Sequence, residues 1–160
     1  MKPSRIITAL LMLVVLIIWA GTVLSQEAKK ESAEKAVTIA GILDNAKCPL
    51  TETQIKTLKE LDLSAGREAF GPVYEMFEEK QYEALKEALG TRPGRDDSPD
   101  RPRYLMQVIL FEKENCPLTQ KQLTELLALP NERGSFQQAR EIYTEAQNEA
   151  FAKIFPNRNR

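Results

Sequence analysis

The sequence predicts an all-α protein: a helical bundle built from two tandem repeats of a three-helix unit, preceded by a signal peptide or an N-terminal membrane helix. The first observation is that the segment CPLTETQ, Cys48–Gln54, returns 68 positions later as CPLTQKQ, Cys116–Gln122. The second is that apolar residues recur at helical spacing, whereas no strand pattern is present. The third is an uncharged, mostly aliphatic run over residues 6–24. An internal repeat predicts that one folding unit occurs twice.

The similarity between the two copies continues beyond the shared motif. Phe70 and Gln81 correspond to Phe136 and Gln147, now 66 positions apart. A two-residue deletion in one loop explains the change in spacing. Because three short helices alone bury little apolar surface, the two units are expected to pack on each other or to form a homodimer. The predicted units are residues 33–89 and residues 103–155.

Residues 1–25 have the layout of a secretory signal. Basic residues precede the aliphatic run, and small or moderate residues end it before Gln26, the expected first residue of the mature chain. The alternative is an uncleaved anchor, because residues 6–24 nearly match the apolar thickness of a bilayer. In both cases the remainder is expected to be exported to the periplasm, either soluble or anchored to the inner membrane. Residues 26–32 are polar and predict a flexible leader.

The composition excludes several classes of function. The formal charge at pH 7 is −1, and removing the two positive charges of Lys2 and Arg5 leaves −3, which argues against a nucleic-acid partner. With no His in the chain, a nucleophile lacks its commonest base, and two Cys cannot build a four-ligand zinc site without carboxylates. We therefore predict no catalytic residue, no cofactor and no metal, and expect that the protein is not an enzyme.

Cys48 and Cys116 occupy equivalent positions of the two copies. In an oxidising compartment an even number of Cys suggests a disulfide, and equivalent positions near an approximate two-fold axis can meet. One alternative is that each Cys is a small buried apolar residue beside a helix start. A bridge between two molecules is the other alternative, and the sequence leaves all three open.

The first two helices of each unit are predicted by apolar spacing and by start signals. The first helix is expected over residues 33–46 and again over residues 103–115. The second begins at the repeated motif, where Thr51 and Gln54 form a capping box in which each side chain bonds the other residue's backbone N–H. Leu50 with Ile55 then forms a hydrophobic staple, and Ile55, Leu58 and Leu61 are expected to face inward. The second copy carries the same signals at Leu118, Thr119, Gln122 and Leu123.

The third helix is predicted to be the longest element of each unit. In the second unit it is expected to run from a capping box at Ser135–Gln138 to about Phe155. In the first unit it is expected to begin at Pro72 and to end at a C-cap on Gly90.

Two segments are predicted to lie outside the helical units. Residues 90–102 contain three Pro, two Gly, six charged residues and no apolar side chain other than Pro, which predicts a linker or mobile loop. Residues 156–160 are expected to be a frayed tail.

The motif Leu50-Thr51-x-x-Gln54, with its second copy at Leu118, Thr119 and Gln122, resembles the LTxxQ motif of the Spy/CpxP family. That family contains exported, all-helical envelope-stress proteins that often carry the motif twice. The resemblance implies an ATP-independent chaperone that dimerises into a curved helical cradle, or a regulator of envelope-stress signalling. Some relatives bind zinc through His, which this chain lacks.

The expected function is therefore that of a non-enzymatic exported envelope protein that binds protein clients or a protein partner through a helical surface. This hypothesis predicts a sizeable exposed apolar patch, because chaperone surfaces and helix-binding grooves need one. The alternative is a membrane-tethered structural helical-repeat module with a specific protein partner. In that case the membrane is contacted only through residues 6–24.

Overall fold

Helices dominate the computed structural model, which describes residues 35–94, 100–132 and 134–155. We call residues 35–94 the first half and the remaining described residues the second half. The predicted signal or anchor, the leader and the tail lie outside the described residues. Among the described residues, no helix has the length and apolar character needed to cross a membrane.

The described part of the chain contains eight α-helices, one 3₁₀ segment and four two-residue strands. In the first half they are β1 (Ala36–Val37), α1 (Ile39–Asn45), α2 (Glu52–Glu60), the 3₁₀ segment (Leu63–Ala69), α3 (Phe70–Met76), α4 (Glu79–Leu89) and β2 (Thr91–Arg92). In the second half they are β3 (Arg101–Pro102), α5 (Leu105–Lys113), β4 (Leu118–Thr119), α6 (Gln120–Ala128), α7 (Ser135–Ile142) and α8 (Glu145–Ile154).

The all-α class is confirmed, but the three-helix unit is not what the structure contains. Each half has four α-helices, because the predicted long third helix is two shorter ones. The break lies at Phe77 in the first half and at Tyr143 in the second, where the backbone turns to extended angles. In the second half Thr144 then caps α8 by accepting from Gln147 N–H. A new N-cap of this kind starts a separate helix.

The predicted capping box at Ser135–Gln138 is wrong. Gly134 is the N-cap of α7 and supplies no side-chain hydrogen bond. The Ser135 hydroxyl instead donates to the carbonyl of Pro130, five residues earlier. Ser side chains compete for nearby backbone groups in this way, so the same residue type serves a turn as readily as a cap.

The first helix of the first half begins later than predicted, at Ile39 instead of residue 33. Thr38 is its N-cap, and the Thr38 hydroxyl accepts from Gly41 N–H at 3.0 Å. The residues before it form β1, which pairs antiparallel with β4 in the second half. A short strand that joins distant parts of the chain therefore replaces the first predicted helical turn.

The ends of the predicted linker, residues 90–102, are ordered by a small hairpin. Strands β2 and β3 pair antiparallel, and Gly90 O accepts from Arg103 N–H at 2.8 Å. Gly90 has φ +72°, and a Cβ there would lie 2.9 Å from a methyl group of Leu127, so this C-cap position requires glycine. The Arg101 guanidinium lies 4.4 Å from the ring centre of Tyr74. Both ends of the connector are therefore fixed to the helices.

Helix α5 is the central element of the core. Five of its nine residues are buried, and they follow one another around the helix, which is typical of a helix enclosed on all sides. The same cluster of buried side chains includes residues of α1, α3 and α4 from the first half and of α6, α7 and α8 from the second. The described residues from Ala36 onward accordingly form one compact unit with a shared core.

Candidate functional site

The repeated motif forms a capping box in both halves, as the sequence predicts. Thr51 Oγ1 accepts from Gln54 N–H at 3.3 Å, and Gln54 Oε1 accepts from Thr51 N–H at 2.9 Å. The corresponding distances for Thr119 and Gln122 are 3.2 Å and 3.0 Å. These reciprocal bonds satisfy two N–H groups that a helix start otherwise leaves without partners.

In the second half, the motif Gln makes a buried pair with a second Gln. Gln122 Nε2 donates to Gln147 Oε1 at 2.8 Å and to the carbonyl of Ile142 at 3.0 Å. Gln147 Nε2 in turn donates to the carbonyls of Cys116 and Pro117 at 3.0 and 3.1 Å. One pair of amides therefore joins the Cys-Pro turn, the start of α6, the end of α7 and the start of α8.

The first half contains the same pair at the equivalent positions. Gln54 Nε2 donates to Gln81 Oε1 at 2.7 Å and to Met76 O at 2.8 Å. Gln81 Nε2 donates to Pro49 O at 3.0 Å and to Cys48 O at 3.4 Å. The repeat alignment places Gln81 opposite Gln147, but the sequence analysis identified neither as a site residue. The spacing of Thr144 and Gln147, three residues apart as in a capping box, is the signal that could have identified Gln147.

Of the three alternatives for Cys48 and Cys116, a disulfide between them within one chain is not present, since both are free thiols and both are half-buried. The carbonyl of each Cys is held by the Gln pair of its own half. The position of each Cys is therefore fixed by the hydrogen bonds of its own half. Burial, with a contribution from Glu114, raises the pKa of Cys116, so that a smaller fraction of this thiol is in the reactive thiolate form.

Removing either Thr cap should test whether the two motifs contribute equally to stability. Thr51→Ala and Thr119→Ala are each expected to lower the free energy of unfolding by about 1 kcal/mol, in a single cooperative transition. Chemical denaturation followed by circular dichroism measures both. Thr53→Ala, an exposed position in the same helix, is the control and should change stability by less than about 0.5 kcal/mol. Two separate transitions would contradict the shared core.

Charged and polar groups at the two ends of α5 cap one helix in each half. Near the end of α5, Lys113 Nζ donates to the carbonyls of Leu58 and Lys59 at 3.2 and 3.1 Å, and also to Leu61 O. Before the start of α5, Arg103 donates to the carbonyls of Leu127 and Leu129, and the Tyr104 hydroxyl donates to the carbonyl of Leu126. These three carbonyls, at the end of α6, are equivalent to those that Lys113 contacts at the end of α2. Cations and hydroxyl donors at helix C-termini are favourable because the last carbonyls lack partners. Helix α5 thus joins the halves by polar contacts as well as by its core residues.

Tyr143 carries a buried hydroxyl for which the described residues offer no hydrogen-bond partner. Burial, with a smaller contribution from Tyr104, raises the pKa of Tyr143 well above its usual range. The equivalent residue of the first half is Phe77, which has no hydroxyl to desolvate. The hydroxyl is therefore expected to cost stability without contributing a bond.

Tyr143→Phe is accordingly expected to raise the free energy of unfolding by about 1 kcal/mol at neutral pH. Above the usual tyrosine pKa of about 10, the unfolded chain releases this proton more readily than the folded one, so wild-type stability falls as the pH rises. The Phe variant should lose less stability over that interval. Denaturant titrations at neutral and alkaline pH measure both effects, and Phe77→Tyr, expected to destabilise, is the converse. A loss of stability in Tyr143→Phe at neutral pH would contradict the argument.

The two hydrophobic staples differ in what covers them. In the second half Leu118 and Leu123 are buried, because β1 pairs with β4 and contacts α6. In the first half Leu50 is half-buried and Ile55 is 39% exposed, compared with 3% for Leu123. The inward-facing orientation predicted for Ile55 is wrong, because no strand of the described residues covers the first staple. Among the described residues, Ile55 is the large hydrophobic side chain that is exposed.

The client-binding hypothesis predicts a sizeable exposed apolar patch, and the large hydrophobic side chain that the described residues leave exposed is Ile55. Within the same residues, no group of three or more Cys, Asp and Glu is arranged to hold a metal ion. Comparisons with protein-family models, with curated proteins and with solved structures find no match for this chain.

Proposed function

We propose that this chain is a non-enzymatic exported envelope protein that binds a protein partner through the helical surface of its first half. The observation that carries the proposal is the exposed Leu50–Ile55 staple, whose counterpart in the second half is covered. A partner that covers Ile55 would remove from water an apolar side chain of the kind that contributes most to burial energies. Export is supported by the layout of residues 1–25.

The limited apolar exposure favours one specific partner over a general chaperone. A chaperone that holds many clients needs a broad apolar surface, whereas a specific partner can bind a single anchor with polar surroundings. The LTxxQ motif supports a Spy/CpxP-like regulator within this proposal. The alternative is a structural module tethered by residues 6–24, which would use the same surface on a neighbouring membrane protein.

We also propose that the body of the protein is a tandem duplication of one helical unit. The support is that equivalent backbone groups make equivalent hydrogen bonds. Cys48 N–H donates to Leu43 O at 3.0 Å, and Cys116 N–H donates to Phe111 O at 2.8 Å. The residue before each Cys has a positive φ, 59° at Lys47 and 54° at Asn115. Duplication explains why one half can be used to interpret the other.

Site-specific photo-crosslinking in the native envelope tests the function. A photo-reactive amino acid at position 55 is expected to give one discrete protein adduct, which disappears when purified wild-type chain is added as competitor. The same amino acid at Lys80, an exposed position on α4, is the control. A broad smear of adducts would support the chaperone form instead. The absence of any adduct specific to position 55 would overturn the proposal.

Mass spectrometry of the protein purified from the envelope tests the export step. A mature chain that begins at Gln26 indicates a soluble exported protein. An uncleaved chain supports the tethered alternative. Alkylation before reduction is expected to label both Cys48 and Cys116, since both are free in the structure.

A further inference from the structure

We propose that the first half carries a receptor for a strand–helix segment of a different protein. The receptor consists of the backbone edge of Leu50–Thr51, the side chain of Ile55 and the carboxylate of Asp44. Its occupant is an extended dipeptide with a β-branched apolar residue, followed by an N-cap and the first turn of a helix. This inference rests on the proposed function, because it specifies the chemistry of the partner.

The second half shows how such a segment is held. Strand β1 pairs antiparallel with β4, so that Ala36 is opposite Thr119 and Val37 is opposite Leu118. Val37 is 5% exposed, and β1 also contacts α6, where Leu123 is buried. Backbone pairing gives the contact its direction, and the β-branched side chain covers the staple. This is strand addition to an exposed edge, made within one chain.

The residues after β1 add a charged contact. Thr38 caps α1, and the first N–H of the helix, at Ile39, donates to Glu112 Oε2 at 3.2 Å. A carboxylate is favourable there because the N-terminal end of a helix carries partial positive charge. The second half therefore recognises three features in succession: a strand edge, a β-branched side chain and a helix start.

The first half presents the three equivalent groups, and within the described part of the chain no segment covers them. Leu50 and Thr51 occupy the positions of β4, but Leu50 is only half-buried and Thr51 is exposed. Ile55 is exposed, whereas the equivalent Leu123 is buried. The counterpart of Glu112 is Asp44, an exposed carboxylate at the end of α1. Because the turn between these groups is built on the same hydrogen bonds in both halves, the geometry of the second-half receptor applies to the first.

The described residues of the chain do not provide a second segment of this kind. The counterpart of β1 in the second half is Tyr104–Leu105, where Tyr104 has φ 56° and Leu105 is the buried first residue of α5. Ala36–Val37 is already paired with β4, and a second copy would have to break that pairing to use it. A second copy that supplied this segment would make a heterologous contact, which builds open filaments unless it closes into a ring. A segment of a different protein is therefore the occupant that leaves the pairing of β1 with β4 in place.

A peptide with the sequence KAVTIAGILDN, residues 35–45, is the probe, because it is the segment that the second half holds. It carries a fluorophore and a photo-reactive residue at the position of Ala36, so that the side chain of Val37 is kept, and it is added to the full chain purified from the envelope. We expect saturable binding and covalent attachment near Leu50–Ile55. Ile55→Asp should weaken binding about tenfold, through the loss of apolar burial. Asp44→Asn should weaken it about threefold.

The variants are chosen to leave the fold intact. Ile55 is exposed and lies in the first turns of α2, where an acidic residue suits the helix N-terminus. Circular dichroism should show unchanged helix content. Lys56→Ala, which changes the exposed neighbour of Ile55, is the matched control and should bind the peptide like the wild type.

Three outcomes would overturn the inference. Attachment only near Leu118–Leu123 would mean that the peptide merely displaces β1. Equal affinity for wild type and Ile55→Asp would mean that the staple is not the binding site. A dimer of the chain that Ile55→Asp dissolves would mean that a second copy is the occupant. If the peptide does not bind but photo-crosslinking at position 55 still yields a partner, only this receptor chemistry is rejected. If the peptide binds but photo-crosslinking at position 55 yields no partner, the proposed function is rejected.

Discussion

Replacing Gln147 by alanine is expected to lower the free energy of unfolding by about 3 kcal/mol. The side chain is 2% exposed, so the substitution removes a buried amide and its hydrogen bonds. Its amide nitrogen donates to the carbonyls of Cys116 and Pro117, and its oxygen accepts from Thr144 N–H and from Gln122. Without it, two backbone carbonyls, the Thr144 N–H and the amide of Gln122 each lose a partner. Buried polar groups left unpaired cost more than the bond itself contributes.

Chemical denaturation of the variant measures this loss, and Gln138→Ala is the matched control. Gln138 is exposed on α7, so the same substitution there should change stability by less than about 0.5 kcal/mol. Gln147→Glu separates hydrogen bonding from volume. Its carboxylate cannot donate to the two carbonyls, and burial raises its pKa in the folded state. The variant should therefore lose stability as the pH rises above about 4, the usual pKa of Glu. A loss below about 1 kcal/mol for Gln147→Ala would show that water replaces the amide.

The two Gln pairs show which part of the site the sequence could predict. A capping box joins residues three apart, so the spacing of Thr51 and Gln54 was sufficient to identify it. The partner of Gln54 is Gln81, 27 positions away, and no local pattern reports such a contact. The repeat alignment placed Gln81 opposite Gln147. Only the structure shows that these residues complete the function of the motif Gln, by holding the Cys-Pro turn.

The errors in the helix prediction have similar causes. Apolar spacing continues across Tyr143 and Thr144, so periodicity alone predicted one helix, while the capping box at Thr144–Gln147 starts a new one. Strand β1 is two residues long, and its partner lies in the other half, so neither its length nor its composition distinguishes it from a helical turn. Ile55 was assigned to the core by the same reasoning. Whether it is covered depends on a distant segment, not on its own helix.

Phe111→Ala is expected to give the largest loss of stability, about 4 kcal/mol. Phe111 is fully buried in α5, and its ring packs edge-to-face on Tyr143 with 4.9 Å between ring centres. Removing a buried aromatic ring loses its transfer free energy and leaves a cavity that the enclosed helix α5 cannot readily close. Met106→Ala, at a half-buried position of the same helix, should cost markedly less and is the control.

The shape of the unfolding transition matters as much as its midpoint. Helix α5 belongs to the second half, but Lys113 caps α2 and Glu112 holds the start of α1. We therefore expect Phe111→Ala to weaken both halves together, in one transition. Hydrogen exchange measured on α4 and α8 should show parallel loss of protection. Protection that persists in α4 while α8 exchanges would mean that the halves fold independently.

The two halves contribute differently to the shared core, and α5 shows that difference most clearly. Its counterpart α1 buries Ile39 and Leu43 along one side, as a helix at the surface does. Helix α5 buries five residues around its axis, and Phe111 places an aromatic ring where the equivalent position of α1 has Leu43. The second half thus supplies the central helix of the core, and the first half has the exposed Ile55. If Phe111→Ala unfolds both halves together, Leu43→Ala should do the same with a similar loss, because both positions belong to one core.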